Sequence, residues 1–222
     1  MPTADYAINV HAIPMLLVGL VTLVLGLLVY RSNRRSAAHR HFLALCAGIA
    51  LWLGATSIGL CATTPERALG WFRLDNVGVM FISVAFYAFS AEFLRLSRPR
   101  SIWLGYGLAS LLALAVLFLD DFVAGVRLYR WGYFPQWGPA SAPFFLVFFA
   151  YMAAAFTDYV RAYRTVTTPI RRQQIKFVLI AFVIAYLGSV DFFPAFGYDL
   201  YPFGYVPIFL LTVVVTIAIL RY

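Results

Sequence analysis

Apolar runs of bilayer-spanning length recur from one end of this chain to the other, and no other feature limits its fold as strongly. Seven can be drawn: about Ala12 to Tyr30, His41 to Ala62, Trp71 to Leu94, Ser101 to Leu119, Pro143 to Val160, Gln174 to Phe193 and Phe203 to Leu220. A helix of about 20 apolar residues crosses a hydrocarbon core of about 30 Å. The runs are apolar on every side and lack a period-two alternation, which argues against a β-barrel. Only 12% of the residues are charged, against about 25% in a soluble domain. The expectation is an all-α polytopic membrane protein, a single domain over residues 1–222 folded as a seven-transmembrane helix bundle.

The charges give this bundle a direction. Thirteen of the seventeen basic residues fall on one side: Arg31, Arg34, Arg35 and Arg40, then Arg95, Arg98 and Arg100, then Arg161, Arg164, Arg171, Arg172 and Lys176, and finally Arg221. Arg67, Arg73, Arg127 and Arg130 fall on the other. Positive residues collect in cytoplasmic loops, so the N-terminus is expected outside and the C-terminus in the cytoplasm. The net charge of +8 is then a matter of basic inner loops facing anionic headgroups, and no nucleic-acid partner is expected. The stretch before His11 has no Lys or Arg and so lacks the basic start of a cleavable signal peptide.

Ionisable groups within spans are expensive and are candidates for function. Trp71, Arg73, Asp75 and Asn76 open the third apolar run, and Asp191 closes the sixth. All are expected at the outer membrane level, beneath a long loop from Asp120 to Ala142 that carries Trp131, Tyr133 and Trp137. Tyr201 follows Asp191 on the same side. The candidate ligand site is this cluster, with Arg73 pairing Asp75 or Asp191, or meeting an anionic ligand group, and aromatic residues forming the walls. The competing reading is an interfacial cluster that fixes helix ends, with Asp75 close to a helix N-terminus and favoured by its dipole. Glu92 and Asp158 each precede an arginine by three residues, Arg95 and Arg161, and are expected to pair along their own helices.

Other chemistry finds little footing. His11, His39 and His41 divide between the two faces and form neither a haem pair nor a zinc motif. Cys46 and Cys61 share one apolar run and read as small core residues. Lys176, the single lysine, lies at the inner edge and snorkels to headgroups instead of holding a retinal. No catalytic constellation or cofactor site emerges. Gly48, Ala50, Gly54, Ala55 and Gly59 in the second run, with Gly105, Gly107, Ala109 and Ser110 in the fourth, are suited to close helix packing.

Four stretches, in this order and spacing, carry a family resemblance: Pro65 to Gly78, Trp131 to Pro139, Arg171 to Lys176, and Asp191 to Pro194 with Gly197, Tyr201, Pro202 and Ala218 to Tyr222. Together they resemble the N-terminal seven-helix membrane region of bacterial sensor histidine kinases and related signalling proteins, some with diguanylate cyclase outputs. The resemblance implies a non-catalytic input domain. It would sense an unidentified small-molecule or lipid-soluble ligand, or a membrane state, at its outer half. The seventh helix would pass the signal to a cytoplasmic kinase or cyclase, and a homodimer is implied by the habit of such kinases. The stop at Arg221-Tyr222 reads as a junction to an effector; a stand-alone chain working through partners is the other reading. A small transporter or channel is the alternative function, and would need a polar path to the inner face.

Overall fold

The computed structural model describes residues 5–220; the expectations attached to Arg221 and Tyr222 lie outside them. Six helices are long and apolar enough to cross a membrane, and a seventh apolar helix is shorter. They are α1 (Ala12–Ser32), α2 (Ala37–Cys61), α3 (Pro65–Phe93), α4 (Pro99–Phe118), α5 (Ala142–Thr165) and α6 (Pro169–Tyr186). The sixth span continues through a 3-10 segment, Leu187–Asp191, and a single turn, α7 (Phe192–Ala195), before α8 (Tyr205–Leu220) closes the bundle. The all-α seven-helix architecture is the one expected from the apolar runs.

The helix starts are written in local chemistry. α3, α4, α5 and α6 each carry proline in their first two positions, where the missing N–H has no intrahelical partner to lose. The Thr64 side chain accepts from Arg67 N at 3.4 Å to cap α3, and Ser36 accepts from His39 N at 3.5 Å to cap α2. α3 therefore begins at Pro65 rather than near Trp71, and Asp75 lies almost three turns inside it. This overturns the placement of Asp75 at a helix N-terminus: the cap and proline set the start, and the dipole's influence fades within one turn.

α3 is the central post. Within its membrane stretch 83% of residues are buried inside the protein, against 28% for α4. It packs on α2, α4 and α5. Lipid tails are as apolar as leucine, so burial of apolar area does not drive helices together here; close packing must. A Cβ on Gly78 would lie 2.5 Å from the Gly48 carbonyl oxygen and 2.8 Å from Trp52 N, so these α2 and α3 backbones touch where only glycine fits. Gly105 likewise faces Tyr151 and Val84 at 2.8 Å. Gly54 and Gly107 have no atom within 4 Å of that position, so not every small residue serves the packing. Ile13, Leu17, Leu20, Val24, Leu28 on α1 and Trp103, Leu104, Leu111, Phe118 on α4 point outward, as lipid-facing side chains do.

The loop after α4 is the departure from a purely helical chain. Val123–Tyr129 (β1) and Gly132–Trp137 (β2) form an antiparallel hairpin in which Val126 faces Pro135 and Tyr129 faces Gly132. Gly132 takes φ +124°, a conformation open to glycine at the tight return, and Pro135 is tolerated because a two-stranded ribbon has only edges. Tyr129 Oη donates to Pro194 O at 2.6 Å and Arg127 Nη1 to Gly197 O at 2.9 Å. Asn9 Nδ2 donates to both Leu60 O and Trp131 O, at 2.8 and 2.7 Å. The hairpin is thereby fastened across one end of the bundle.

At the opposite end, neither expected i,i+3 ion pair forms among the described residues. Asp158 is buried on α5 and pairs with Arg98 at the start of α4, 3.5 Å away, while Arg161 faces outward. α3 ends at Phe93, so Arg95 leaves the helical path at φ 61° and makes no ion pair with Glu92 among the described residues. Arg171 fastens α6 to α3: its guanidinium lies over the Phe93 ring, 4.4 Å from the centroid, and donates to Phe93 O and, at 3.0 Å, to Gln174 Oε1.

The glycine contact makes a sharp prediction. Gly78→Ala must force α2 and α3 apart and should destabilise the bundle by about 1–3 kcal/mol, the usual cost of overpacking. Gly54→Ala, which meets nothing, should melt at or slightly above the wild type, since alanine suits a helix interior better than glycine. Thermal unfolding in one detergent checks both, and equal melting of the two variants would contradict the contact.

Candidate functional site

Beneath the hairpin, between α2, α3, α5, the end of the sixth span and α8, lies a cavity of about 80 Å³. Its walls include Ile49, Trp52, Val79, Phe86, Met152 and Leu211, and Phe134, Pro135 and Trp137 of β2 form the roof. Four polar side chains face it: Asp75, Asn76, Ser189 and Asp191.

Asp75 and Asn76 reach the site from the buried flank of α3. Asp75 Oδ2 accepts from Thr56 Oγ1 of α2 at 2.8 Å, and its Oδ1 accepts from Asn76 Nδ2 at 2.8 Å. Asn76 Nδ2 also donates to Phe72 O one turn back, at 2.7 Å. Both of these partners are acceptors, which fixes the amide's orientation. Asn76 Oδ1 is left buried with no hydrogen-bond partner. Asp191 arrives from the 3-10 segment, whose tighter winding carries it off the face that a continued α-helix would have given it. Its Oδ1 accepts from the backbone N–H of Gly204 at 2.7 Å, the residue directly before α8.

Asp75, Asn76, Asp191 and Trp137 are thus brought together, and five other sequence candidates lie elsewhere. Arg73 pairs with Asp120 at 2.6 Å and not with Asp75 or Asp191, a correction of the expected pair. Arg73 precedes Asp75 by two positions, about 200° around the helix, so the two cannot face the same side. Trp71 donates from Nε1 to Tyr6 Oη at 2.9 Å. Trp131 stacks on Tyr129, centroids 4.7 Å apart and planes at 3°, and meets Tyr201 edge-on at 5.6 Å. Tyr133 packs against the small outer cluster of Ala62, Ala68, Phe72, Phe134 and Ala195. Burial, reinforced by Tyr205 and the Asp191 charge, pushes the Tyr201 phenol up to about 12, so it stays a neutral wall beside the hairpin.

Sequence reasoning missed Trp52, Thr56, Phe134, Ser189 and Gly204. A signal existed for two: Trp52 and Thr56 are four apart in α2, on one helix face, in the stripe begun by Gly48. A tryptophan at mid-span, away from the interface where this residue concentrates, also marks an unusual surrounding.

The fold and cavity define a polytopic seven-helix membrane module with a partly polar cavity at one end under a β-hairpin roof. A family model described as the N-terminal 7TM region of histidine kinase matches residues 14–222, and the chain belongs to that family. No curated protein matches it significantly. Membership makes it a multi-pass inner-membrane protein and a sensory input region, with histidine-kinase signalling as its setting and a cytoplasmic kinase as its partner.

The buried bond makes the prediction for this site. Thr56→Val removes the hydroxyl from Asp75 without changing shape and should cost about 1–3 kcal/mol, the penalty for stranding a buried acceptor. Arg73→Ala breaks a pair whose Asp120 is 91% exposed while the arginine side chain is 24% exposed, and should cost less than the threonine change, through lost packing more than lost charge. Parallel melts of the two variants test the contrast; a larger loss for Arg73→Ala would contradict it.

Proposed function

We propose that this chain is the signal-input domain of a membrane histidine kinase, that it senses the filling of the roofed cavity, and that α8 transmits the result to the kinase. One observation carries the reading: Asp191 lines the cavity and also holds the N–H of Gly204 at the threshold of α8. Whatever alters the Asp191 carboxylate acts directly on the start of the last helix. Proline at the third position of α8, Pro207, removes no ladder bond, since the first-turn N–H groups have no intrahelical partner, and it fixes the backbone at the entry to the helix. α8 is seated on α6 and α1, surfaces over which a small rotation would repack side chains.

The basic residues orient the bundle, with hairpin and cavity outside and the end of α8 in the cytoplasm. A ligand acts in this scheme by binding two arrangements of the bundle unequally, since equal affinity shifts nothing. Two copies would pair to present two kinase partners to one another. The transporter alternative gains nothing specific, because the cavity's polar groups converge beneath the hairpin and its remaining walls are apolar or aromatic.

Fused to a reporter kinase, Asp191→Asn should shift output on the order of tenfold, the size of an allosteric coupling of about 1–3 kcal/mol, with normal membrane insertion. Output indistinguishable from the wild-type fusion at equal expression would remove Asp191 from the transmission path and with it this reading.

A further inference from the structure

We infer that the cavity takes a small organic ammonium ion, a primary amine of a few non-hydrogen atoms. The inference rests on reading this cavity as the sensory site, and it names the chemical class that fits. Asp75 and Asp191 come from different helices and face one space. No lysine, arginine or histidine lines it, and neither acid forms an ion pair among the described residues. Two carboxyl groups enclosed without a counter-charge are costly, and a cationic partner offsets that cost.

Asn76 supplies the second, independent sign. Its nitrogen is engaged by Phe72 O and Asp75 Oδ1, and its Oδ1 stands buried without a donor, at 2% residue exposure. Buried polar atoms are seldom left unmatched. Asp75 receives two donors and Asp191 one, and a carboxylate has about four lone-pair sites. The site thus presents acceptors from three side chains, and its complement is a group with several N–H donors and a positive charge. An alkylammonium carries three.

The walls select an organic ion over a metal. Trp52, Phe134, Trp137 and Tyr186 line the cavity, and aromatic faces attract cations. A hard metal ion would instead need a shell of about six oxygens, which these walls do not offer. Size sets the upper limit. A water occupies about 10–15 Å³ of such space, so about 80 Å³ has room for about five to eight non-hydrogen atoms, and ethylammonium fits well within it.

Trp52 and Trp137 make binding directly visible. The whole chain, in detergent or nanodiscs, would be titrated with ethylammonium chloride while tryptophan fluorescence is followed, with sodium chloride and 1-propanol as matched ionic and neutral probes. The expected result is a saturable change with ethylammonium alone, its midpoint raised at least tenfold in Asp75→Asn and in Asp191→Asn, with both variants checked by melting. Should Asp75→Asn fail to fold, Asp191→Asn decides. An equal response to sodium chloride or to 1-propanol, no saturable response, or an unchanged midpoint in the folded variant would overturn the proposal. Amine binding with no change in the reporter fusion would support this ligand class and sink the transmission reading. A fusion altered by Asp191→Asn in a chain that binds no amine would do the reverse.

Discussion

The contact of α2 with α3 at Gly48 and Gly78 is the constraint on which the rest depends. In a bilayer, helices gain nothing by hiding apolar surface from one another, so association rests on how closely backbones approach. The missing side chains at these two positions bring the backbones into touch. On α2, Gly48, Trp52 and Thr56 follow at intervals of four, and on α3 Asp75 precedes Gly78 by three. The same close approach therefore lets a short threonine hydroxyl reach a carboxylate on the neighbouring helix at 2.8 Å. Polar bonding at the site is a by-product of steric economy two turns away.

From that seam the molecule divides its labour between its ends. At one end Arg98 with Asp158, and Arg171 with the Phe93 ring and carbonyl, fasten α4 to α5 and α6 to α3. These charge-assisted links hold helix termini in fixed relation. At the other end the hairpin is tied through Tyr129 and Arg127 to the turn at Pro194 and Gly197, Arg73 pairs with Asp120, and the Gly204 N–H donates to Asp191. Of these links, the one from Gly204 joins the cavity lining to the start of α8. The cavity sits at this end, beneath the hairpin.

The part of the site legible in the sequence was the part governed by cost. Acids and amides within apolar runs are rare because hydrocarbon solvates them poorly, and that alone singled out Asp75, Asn76 and Asp191. Trp137 was legible as an aromatic in the covering loop. Arg73 was misjudged because proximity along the chain was taken for proximity in space; two residues apart on a helix means opposite sides. The hairpin was overlooked because its glycines and prolines spoke of turns, and its short strands are stabilised by fastening to Pro194 and Gly197, contacts remote in sequence.

What the sequence determined by itself is the architecture: apolar length demands helices, since an exposed backbone donor or acceptor has no partner in lipid, and prolines with Thr64 and Ser36 mark where helices begin. The asymmetry of arginine supplies an orientation by the same kind of local reasoning. Tertiary structure alone decided which polar groups share a space. Arg98 was drawn from its own neighbourhood to Asp158, Arg73 was turned out to Asp120, and two carboxylates 116 positions apart by residue number were left facing one cavity. Partner choice depends on the rotation of each helix about its axis, and that rotation is set by packing at residues such as Gly78, close to Asp75 but far along the chain from the Asp191 that Asp75 comes to face.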